Sequence, residues 1–278
     1  MTLSWLQSII FGFLSGLTDI LPVSSQAHKA IMLQMFGADY EPPIMRLMIH
    51  LATFAALYYS CNAQINRIMR QRRLAKIPKK RRKRPVDVQV LMDFRLLCTM
   101  VVPVVLGFLF YRKTSAWNMR LNWIAVFSII NAVVLYLPVL LPSGNKDSRN
   151  MTPLEGLFMG VGGAISVLPG VSSVGGMTAI GSLSGGDRVF VLNIALLMQM
   201  VITAAHIVFD VMYMITVGAG SIGFGILLGY ILAAATAFAG VYLGIRIMRT
   251  LAVNIGYNGF AYYSLGLGLL SFIFYLQV

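Results

Sequence analysis

The chain has 278 residues, of which 58% are hydrophobic and only 11% are charged. A soluble domain has about 25% charged residues, so this composition excludes an ordinary soluble protein and indicates one that crosses a membrane several times. The net charge of +13 does not indicate nucleic-acid binding, because half of the 22 Lys and Arg residues lie in one short segment, residues 67–84. The long apolar runs do not alternate with polar residues and therefore predict helices.

The first predicted element covers residues 1–37 and is interrupted by a polar stretch. Apolar segments at residues 3–14 and 30–36 flank a sequence that contains Pro22, two serines, an aspartate and a histidine. Neither segment reaches the roughly 20 residues that a helix needs to cross a bilayer. Polar, non-helical backbone at membrane depth is tolerated where it lines a wet cavity. We therefore predict a re-entrant helical hairpin with a polar tip; the alternative is an amphipathic helix with an ordinary cap at Ser24.

A basic loop separates the first two of three predicted spans. The loop covers residues 64–87. The spans cover residues 44–63, 88–111 and 121–141. A short, strongly basic loop between spans marks the cytoplasmic side, and its charge suits anionic lipid headgroups. We therefore predict that this loop is cytoplasmic, that the hairpin enters the membrane from outside, and that nucleic acid is not a partner.

A second interrupted segment covers residues 153–183. It is rich in glycine, and the pair Pro169-Gly170 breaks it in the middle. We predict a second re-entrant hairpin here, entering from the cytoplasm. Three further spans are predicted after it, over residues 189–217, 222–245 and 251–276. Arg246 and Arg249 then fall between the last two spans on the cytoplasmic side, in agreement with the positive-inside rule.

The predicted order is one hairpin and three spans, followed by the same order again. Because three is odd, the second half enters from the opposite face, which defines an inverted-topology repeat. Both tips share a pattern, Leu21-Pro-Val-Ser-Ser25 and Leu168-Pro-Gly-Val-Ser-Ser173, and paired broken segments of this kind point to a binding site. The predicted fold is an all-α polytopic membrane protein. It forms a single membrane domain over residues 1–278, with repeats at about 1–141 and 153–278.

The two tips resemble the motifs of a known family. Residues 16–25, with His28 after them, are similar to the first motif of the bacterial undecaprenyl-pyrophosphate phosphatases of the bacitracin-resistance type. Leu168-Pro-Gly-Val-Ser172, leading to Thr178, is similar to that family's Pro-Gly-x-Ser-Arg-Ser-x-x-Thr motif. Between them, His50-Leu-Ala-Thr53 resembles the family's His-Leu-Gly-Thr stretch. The resemblance covers nearly the whole chain.

This resemblance implies an integral enzyme of the bacterial cell membrane. The expected reaction removes a phosphate from C55 polyprenyl pyrophosphate at the outer leaflet. It recycles the lipid carrier for peptidoglycan and cell wall synthesis and confers resistance to bacitracin. The resemblance also implies a divalent cation, Mg²⁺ or Ca²⁺, and relatives of this kind point to a homodimer.

The resemblance assigns three catalytic residues. Ser25 matches the nucleophile and His28 the general acid or base. Asp19 matches an acid that helps to hold the metal, and hydrated Mg²⁺ commonly takes one or two carboxylates. Ser24 is predicted to cap the following helix, whose amino-terminal amides attract phosphate. The predicted phosphate-binding residues are Ser24, Gly170, Ser172, Ser173, Thr178 and Arg46.

The chain departs from the family at four motif positions, one of which is the second acid, shortened here to Asp19. Ser15 stands where the family has the first of two acids, Ser173 stands in place of the second-motif arginine, and Val174 replaces the serine after it. Arginine binds phosphate through a planar fork that serine does not reproduce. We therefore predict that Arg46 contributes the missing charge from the opposite wall of the cavity. The alternative function is a non-catalytic binder or flippase of polyprenyl phosphates on the same fold.

Overall fold

The computed structural model describes residues 3–38, 40–82, 84–117, 120–218, 223–254 and 257–277, and this part of the chain is built from helices joined by turns. The α-helices are α1 (Trp5–Ile20), α2 (Ser25–Met35), α3 (Pro43–Lys76), α4 (Val88–Phe108), α5 (Tyr111–Thr114), α6 (Leu121–Tyr136), α7 (Pro153–Ala164), α8 (Ser173–Leu183), α9 (Arg188–Val217), α10 (Phe224–Asn254) and α11 (Asn258–Gln277). The prediction of an all-helical protein is confirmed.

Six helices in the described ranges are long and apolar enough to cross a membrane. They are α3, α4, α6 with the 3-10 turn that extends it to Leu140, α9, α10 and α11. The predicted number of spans is therefore confirmed. The two interrupted segments each form a pair of shorter helices, α1 with α2 and α7 with α8. A turn separates the helices of each pair at the predicted Pro and Ser positions, because proline cannot continue a helix and serine caps the next one.

Several predicted boundaries are wrong. Helix α3 has 34 residues and continues to Lys76, so the first half of the predicted basic loop is helical. Helix α10 continues to Asn254, which places Arg246 and Arg249 within a helix, and α11 begins only at Asn258. Hydropathy locates the part of a helix that lies in hydrocarbon, whereas charged helical residues beyond it leave no apolar signal. Within the predicted hairpins, spans and basic loop, residues 1, 2, 83, 222, 255 and 256 lie outside the described residues.

Glycines allow two pairs of helices to approach closely. A Cβ atom on Gly16 of α1 would lie 2.2 Å from the carbonyl oxygen of Ala237 in α10. A Cβ atom on Gly160 of α7 would lie 2.5 Å from the carbonyl oxygen of Met100 in α4. Small residues at such contacts are typical of helices that pack in lipid. They place α1 along α10, and α7 along α4, and so position both helix pairs.

The turns of the two helix pairs contact each other through their serines. The hydroxyl oxygen of Ser24 accepts a hydrogen bond of 3.0 Å from the amide of Gly170. In return, the hydroxyl of Ser172 donates a hydrogen bond of 3.0 Å to the carbonyl oxygen of Leu21. Both serines also cap the helix that follows them, α2 and α8. Each of these two serines therefore caps a helix and also hydrogen-bonds to the opposite turn.

Asn131 of α6 holds this junction in place and is fully buried. Its side-chain oxygen accepts a hydrogen bond of 3.0 Å from the amide of Ser172, and its amide group donates to the carbonyl oxygen of Pro22 at 3.4 Å and to the hydroxyl of Ser264 at 3.0 Å. One side chain thus connects both turns to α11. Buried polar groups are retained where they are hydrogen-bonded in this way.

Gly170 is the residue of this junction least able to accept a side chain. Its φ is +109°, and a Cβ atom would lie 2.6 Å from the backbone nitrogen of Ser128. We expect Gly170→Ala to lower the stability of the protein in detergent by about 1–3 kcal/mol from the backbone conformation alone, and by more because of the clash. Gly218→Ala is the matched control, because φ there is +93° and nothing lies within 4 Å. Equal losses in thermal unfolding for the two variants would contradict the close contact.

Candidate active site

A small polar cleft lies beside the junction of the two turns, between α1, α2, α8 and α9. Its volume is about 30 Å³, enough for about two water molecules. Four predicted site residues line it, and α9 adds two that were not predicted. The predicted four are Asp19, Ser25, Ser172 and Ser173, and the other two are Gln199 and His206. The structure thus brings residues of both motifs into one cleft.

Ser25 begins α2 directly after the turn. The hydroxyl oxygen of Ser24 accepts a hydrogen bond of 3.2 Å from the amide of Ala27, so the predicted cap at Ser24 is confirmed. The side chain of Ser25 is half-buried, and its hydroxyl lies 3.4 Å from the carbonyl oxygen of Ser15, a long hydrogen bond. The Ser25 hydroxyl therefore lies in the cleft at the amino terminus of a helix, where backbone dipoles favour an anion.

Ser173 belongs to a short polar chain. Its hydroxyl donates a hydrogen bond of 2.6 Å to the side-chain oxygen of Gln199, whose amide group donates to Asp19 at 3.4 Å. Gln199 is buried and neutral, so it adds no positive charge. The acid of the first motif and the serine of the second motif are therefore linked by an amide from α9.

His28 does not line the cleft with Ser25. Its Nδ1 lies 2.6 Å from the carbonyl oxygen of Ser24, and its Nε2 lies 2.6 Å from the hydroxyl of Tyr263 in α11. Because a carbonyl oxygen only accepts, Nδ1 donates, and Nε2 of the neutral ring accepts from the tyrosine. The planes of the two rings are nearly parallel, at 4°, with centroids 5.7 Å apart. Both nitrogens are thus engaged, and the role of His28 as acid or base stays a prediction.

Two more predicted phosphate ligands are engaged elsewhere. The hydroxyl of Thr178 donates to the carbonyl oxygen of Val174 at 2.8 Å, and the residue lines a different cavity of about 140 Å³ on the other side of α8. The amide of Gly170 is bonded to Ser24. Their predicted contact with phosphate would require these hydrogen bonds to break.

Arg46 is paired with an acid that the sequence analysis did not single out. Its Nε donates a hydrogen bond of 2.7 Å to Oδ1 of Asp210, whose side chain is 2% exposed. The second oxygen of Asp210 lies 2.5 Å from Nδ1 of His50. The ring of His50 in turn lies 5.1 Å from the ring of His206, centroid to centroid. Arg46 is thus connected to the cleft through three neighbours, and its phosphate-binding role stays a prediction.

The residues missed in α9 share a signal that the sequence contains. Gln199, Thr203, His206 and Asp210 are spaced by four, three and four positions, which places them on one face of a helix. Polar side chains within a span almost always face the protein interior and mark functional sites. The polar stripe of α9 therefore predicts the cleft wall, although not the residues that it meets on α3.

The cleft can hold a metal ion only with help from water or substrate. Within the described ranges, no group of three or more His, Cys, Asp or Glu side chains is arranged to hold a metal. The cleft offers the carboxylate of Asp19 together with hydroxyl and amide oxygens. These oxygen ligands suit Mg²⁺, which keeps several waters and binds one or two carboxylates plus substrate phosphates. Ca²⁺ also binds oxygen ligands of this kind. Asp19 is the residue that would hold the ion.

Fold and site together define a class, the polytopic helical membrane proteins that gather serine, acid and histidine side chains in a cleft between two broken helices. Within that class, residues 8–270 match the family described as bacitracin resistance protein BacA. The match covers far more than half of the chain, which therefore belongs to this family. The family resemblance seen in the two motifs is confirmed.

The chain is also similar to relatives that are named undecaprenyl-diphosphatase. The protein of Treponema denticola is 28% identical over 96% of both chains. The protein of Methanobrevibacter smithii is 28% identical, again over 96% of both chains. The protein of Renibacterium salmoninarum is 26% identical over 98% of this chain and 96% of the relative. The similarity thus spans nearly the full length of each protein.

Proposed function

We propose that this chain hydrolyses undecaprenyl pyrophosphate to the monophosphate. Membership of the BacA family and the names of its full-length relatives support this activity. The observation that carries it is the single cleft shared by Ser25, Asp19 and residues of the second turn. The reaction recycles the lipid carrier for cell wall synthesis, and bacitracin resistance is the expected phenotype.

In this proposal Ser25 is the nucleophile and Asp19 holds the divalent cation. Ser25 is suited to attack because it lies at the amino terminus of α2, where helix amides favour the incoming phosphate. Mg²⁺ or Ca²⁺, when bound, neutralises charge on the phosphoryl oxygens. Ser172 and Ser173 contribute hydroxyl groups from the opposite wall of the cleft. At about 30 Å³ the cleft is smaller than a pyrophosphate, so substrate binding requires it to widen.

We also propose that the two halves form an inverted repeat with two re-entrant hairpins. Three correspondences support this arrangement. Each half begins with two short helices joined at a Pro and Ser turn. Ser24 and Ser172 play the same role, since each caps its helix and bonds the opposite turn. The first helix of each half packs along the corresponding partner of the other half, α1 on α10 and α7 on α4.

The orientation is proposed from the charges at one end of the bundle. Exposed basic residues lie at the end of α3 and within residues 77–82. They share this end with the loop before α7, because Gln89 at the start of α4 donates to Asp147 at 3.1 Å. Arg249 also lies there and donates to the carbonyl oxygen of Ser60 at 3.1 Å. We propose that this end is cytoplasmic, where it contacts anionic lipid headgroups, and that the cleft opens to the outside of the plasma membrane.

Cysteine labelling in intact cells tests this orientation. In a background with Cys61 and Cys98 replaced by alanine, Lys80→Cys should resist a membrane-impermeant maleimide, whereas Ser115→Cys should react. Both positions are exposed, so a difference in labelling reports only the side of the membrane on which each cysteine lies. Lysed cells provide the control, because both cysteines should then react. Labelling of Lys80→Cys in intact cells would reverse the orientation.

Phosphate release by the purified protein tests the activity itself. The assay uses C55 pyrophosphate in detergent micelles with Mg²⁺, with Ca²⁺ and with excess chelator. Release that depends on a divalent cation supports the phosphatase. Binding of the lipid without release under every condition would instead favour the non-catalytic binder or flippase, which the absent motif arginine makes the second candidate. The homodimer stays a prediction.

A further inference from the structure

A second cavity lies on the other side of α8 from the cleft and has no role in the proposed reaction. Its volume is about 140 Å³, compared with about 30 Å³ for the cleft. It is lined by α8, by the end of α6 with the loop that follows, and by the starts of α9 and α11. That loop precedes α7, so the cavity lies at the end of the bundle that carries the exposed basic residues.

Arg188 brings a positive charge to this cavity. It is the only charged residue among the described residues that line it. The residue is half-buried at the start of α9, and within the described part of the chain its guanidinium forms no ion pair and no hydrogen bond. Arginine presents five N–H donors in a planar fork that matches the oxygens of a phosphate group. These donors are therefore available to a ligand.

Tyr257 lines the same cavity and carries a buried hydroxyl. The residue is 9% exposed, and its hydroxyl has no hydrogen-bond partner among the described residues. The charges of Arg188 and Asp187 both act on this hydroxyl, so it lies near the start of α9. The hydroxyl of a buried tyrosine usually has a partner. An unpartnered donor beside an unpaired cation therefore indicates a site for a ligand that accepts hydrogen bonds from both.

The other polar residues of the cavity suit the same kind of ligand. Ser182 and Asn258 line it, and their side chains form no hydrogen bond within the described ranges. Hydroxyl and amide groups can both donate to an anion. Asp187 does not line the cavity, and its Oδ1 accepts a hydrogen bond of 2.9 Å from the amide of Phe190 as the cap of α9. The described lining thus combines several donors with one cation and no carboxylate.

Exposed apolar residues also line this cavity. Val139 and Leu141, at the end of α6 and just after it, are 38% and 48% exposed. Leu140 lies between them in the chain and is 66% exposed. Exposed apolar side chains beside a polar site are typical of a surface that contacts a lipid or another apolar ligand. They can accommodate the hydrocarbon part of a lipid whose phosphate group enters the cavity.

We propose that this cavity is a second anion site, which binds a phosphate group through Arg188 and Tyr257. The group comes from an anionic lipid or from free phosphate, and the exposed apolar residues of the lining favour the lipid. The site is separate from the cleft, because the two are lined by different residues. The inference therefore goes beyond the proposed hydrolysis and does not depend on it.

Binding of two phosphate probes to the purified full-length protein tests this proposal. The probes are dioctanoyl phosphatidic acid, a lipid phosphate monoester, and inorganic phosphate. Each is titrated in detergent micelles with a chelator present, which prevents cation-dependent binding at Asp19. We expect Arg188→Gln to weaken the binding of phosphatidic acid about 10–100-fold, because it removes charge-assisted hydrogen bonds. Tyr257→Phe removes only the hydroxyl and should weaken binding about 2–10-fold.

Three controls separate this site from general charge and folding effects. Arg81→Gln removes an exposed cation at the same end of the bundle and should bind like the wild type. Tyr257→Phe without ligand should unfold at the wild-type temperature, because the hydroxyl has no partner to lose among the described residues. Phosphatidylcholine of the same chain length should bind more weakly than phosphatidic acid, because choline covers part of its phosphate.

The two probes also identify the source of the phosphate group. Inorganic phosphate that displaces phosphatidic acid, with the same dependence on Arg188, would support a site for the phosphate group alone. Binding of phosphatidic acid without binding of inorganic phosphate would support a lipid site. Failure of the wild type to bind either probe, equal binding of phosphatidylcholine, or unchanged affinity in Arg188→Gln would overturn the inference. Each of these results leaves the proposed hydrolysis standing, because the phosphate-release assay tests the cleft separately.

Discussion

Ser25→Ala is expected to abolish nearly all phosphate release while leaving a folded protein. The hydroxyl is the proposed nucleophile. Its removal eliminates the covalent intermediate, so that only substrate binding and electrostatic stabilisation can still accelerate hydrolysis. Losses of about 10³-fold or more in kcat are typical of such changes. The side chain makes only one long hydrogen bond, to the carbonyl oxygen of Ser15 at 3.4 Å, so its removal costs little stability. Phosphate release under single-turnover conditions is the measurement.

A serine outside the cleft provides the control for Ser25→Ala. Ser184 follows α8 and donates only to the carbonyl oxygen of Ile180 in its own helix, at 3.0 Å. Ser184→Ala should therefore release phosphate at the wild-type rate. Ser24→Ala should lower the stability of the protein, unlike Ser25→Ala and Ser184→Ala. It removes a helix cap and the hydrogen bond to Gly170. Wild-type turnover in Ser25→Ala would refute the nucleophile assignment.

Asp210→Ala is expected to cause the largest loss of stability among the substitutions considered. The Asp210 carboxylate is almost fully buried and is shared by Arg46 and His50. Removing it takes away the buried carboxylate that Arg46 and His50 share, and breaking a buried pair in this way costs about 3–5 kcal/mol. Reversible unfolding in mixed micelles, followed by circular dichroism, measures the loss.

The double variant Arg46→Ala with Asp210→Ala separates pairing from packing. If the loss comes from an unpaired charge, removal of both partners should cost less than the sum of the two single losses, by about 0.5–3 kcal/mol. Additive losses would show that the two side chains stabilise the protein independently. A loss below about 1 kcal/mol in Asp210→Ala would contradict the structural role of the pair.

The sequence alone predicted the class of the protein because the signals involved are local. Hydropathy located the six spans, and the Pro and Ser positions located the two turns. The cap at Ser24 and the family followed from the same short motifs. Each of these features depends on the preference of a few adjacent residues for lipid, water or a helix terminus, and such preferences do not require knowledge of the rest of the chain.

Only the tertiary structure decided which side chains share the cleft. His28 follows Ser25 by three residues, yet its ring contacts Tyr263, which is 235 positions away, while His206 lines the cleft in its place. Arg46 was predicted to bind phosphate, but its partner Asp210 lies 164 positions along the chain. The spacing of residues within one helix predicts which side chains share a face. Which other helix that face contacts depends on how the helices pack. The helix ends beyond the membrane were missed for a related reason, since helical hydrogen bonds continue through charged residues that carry no apolar signal.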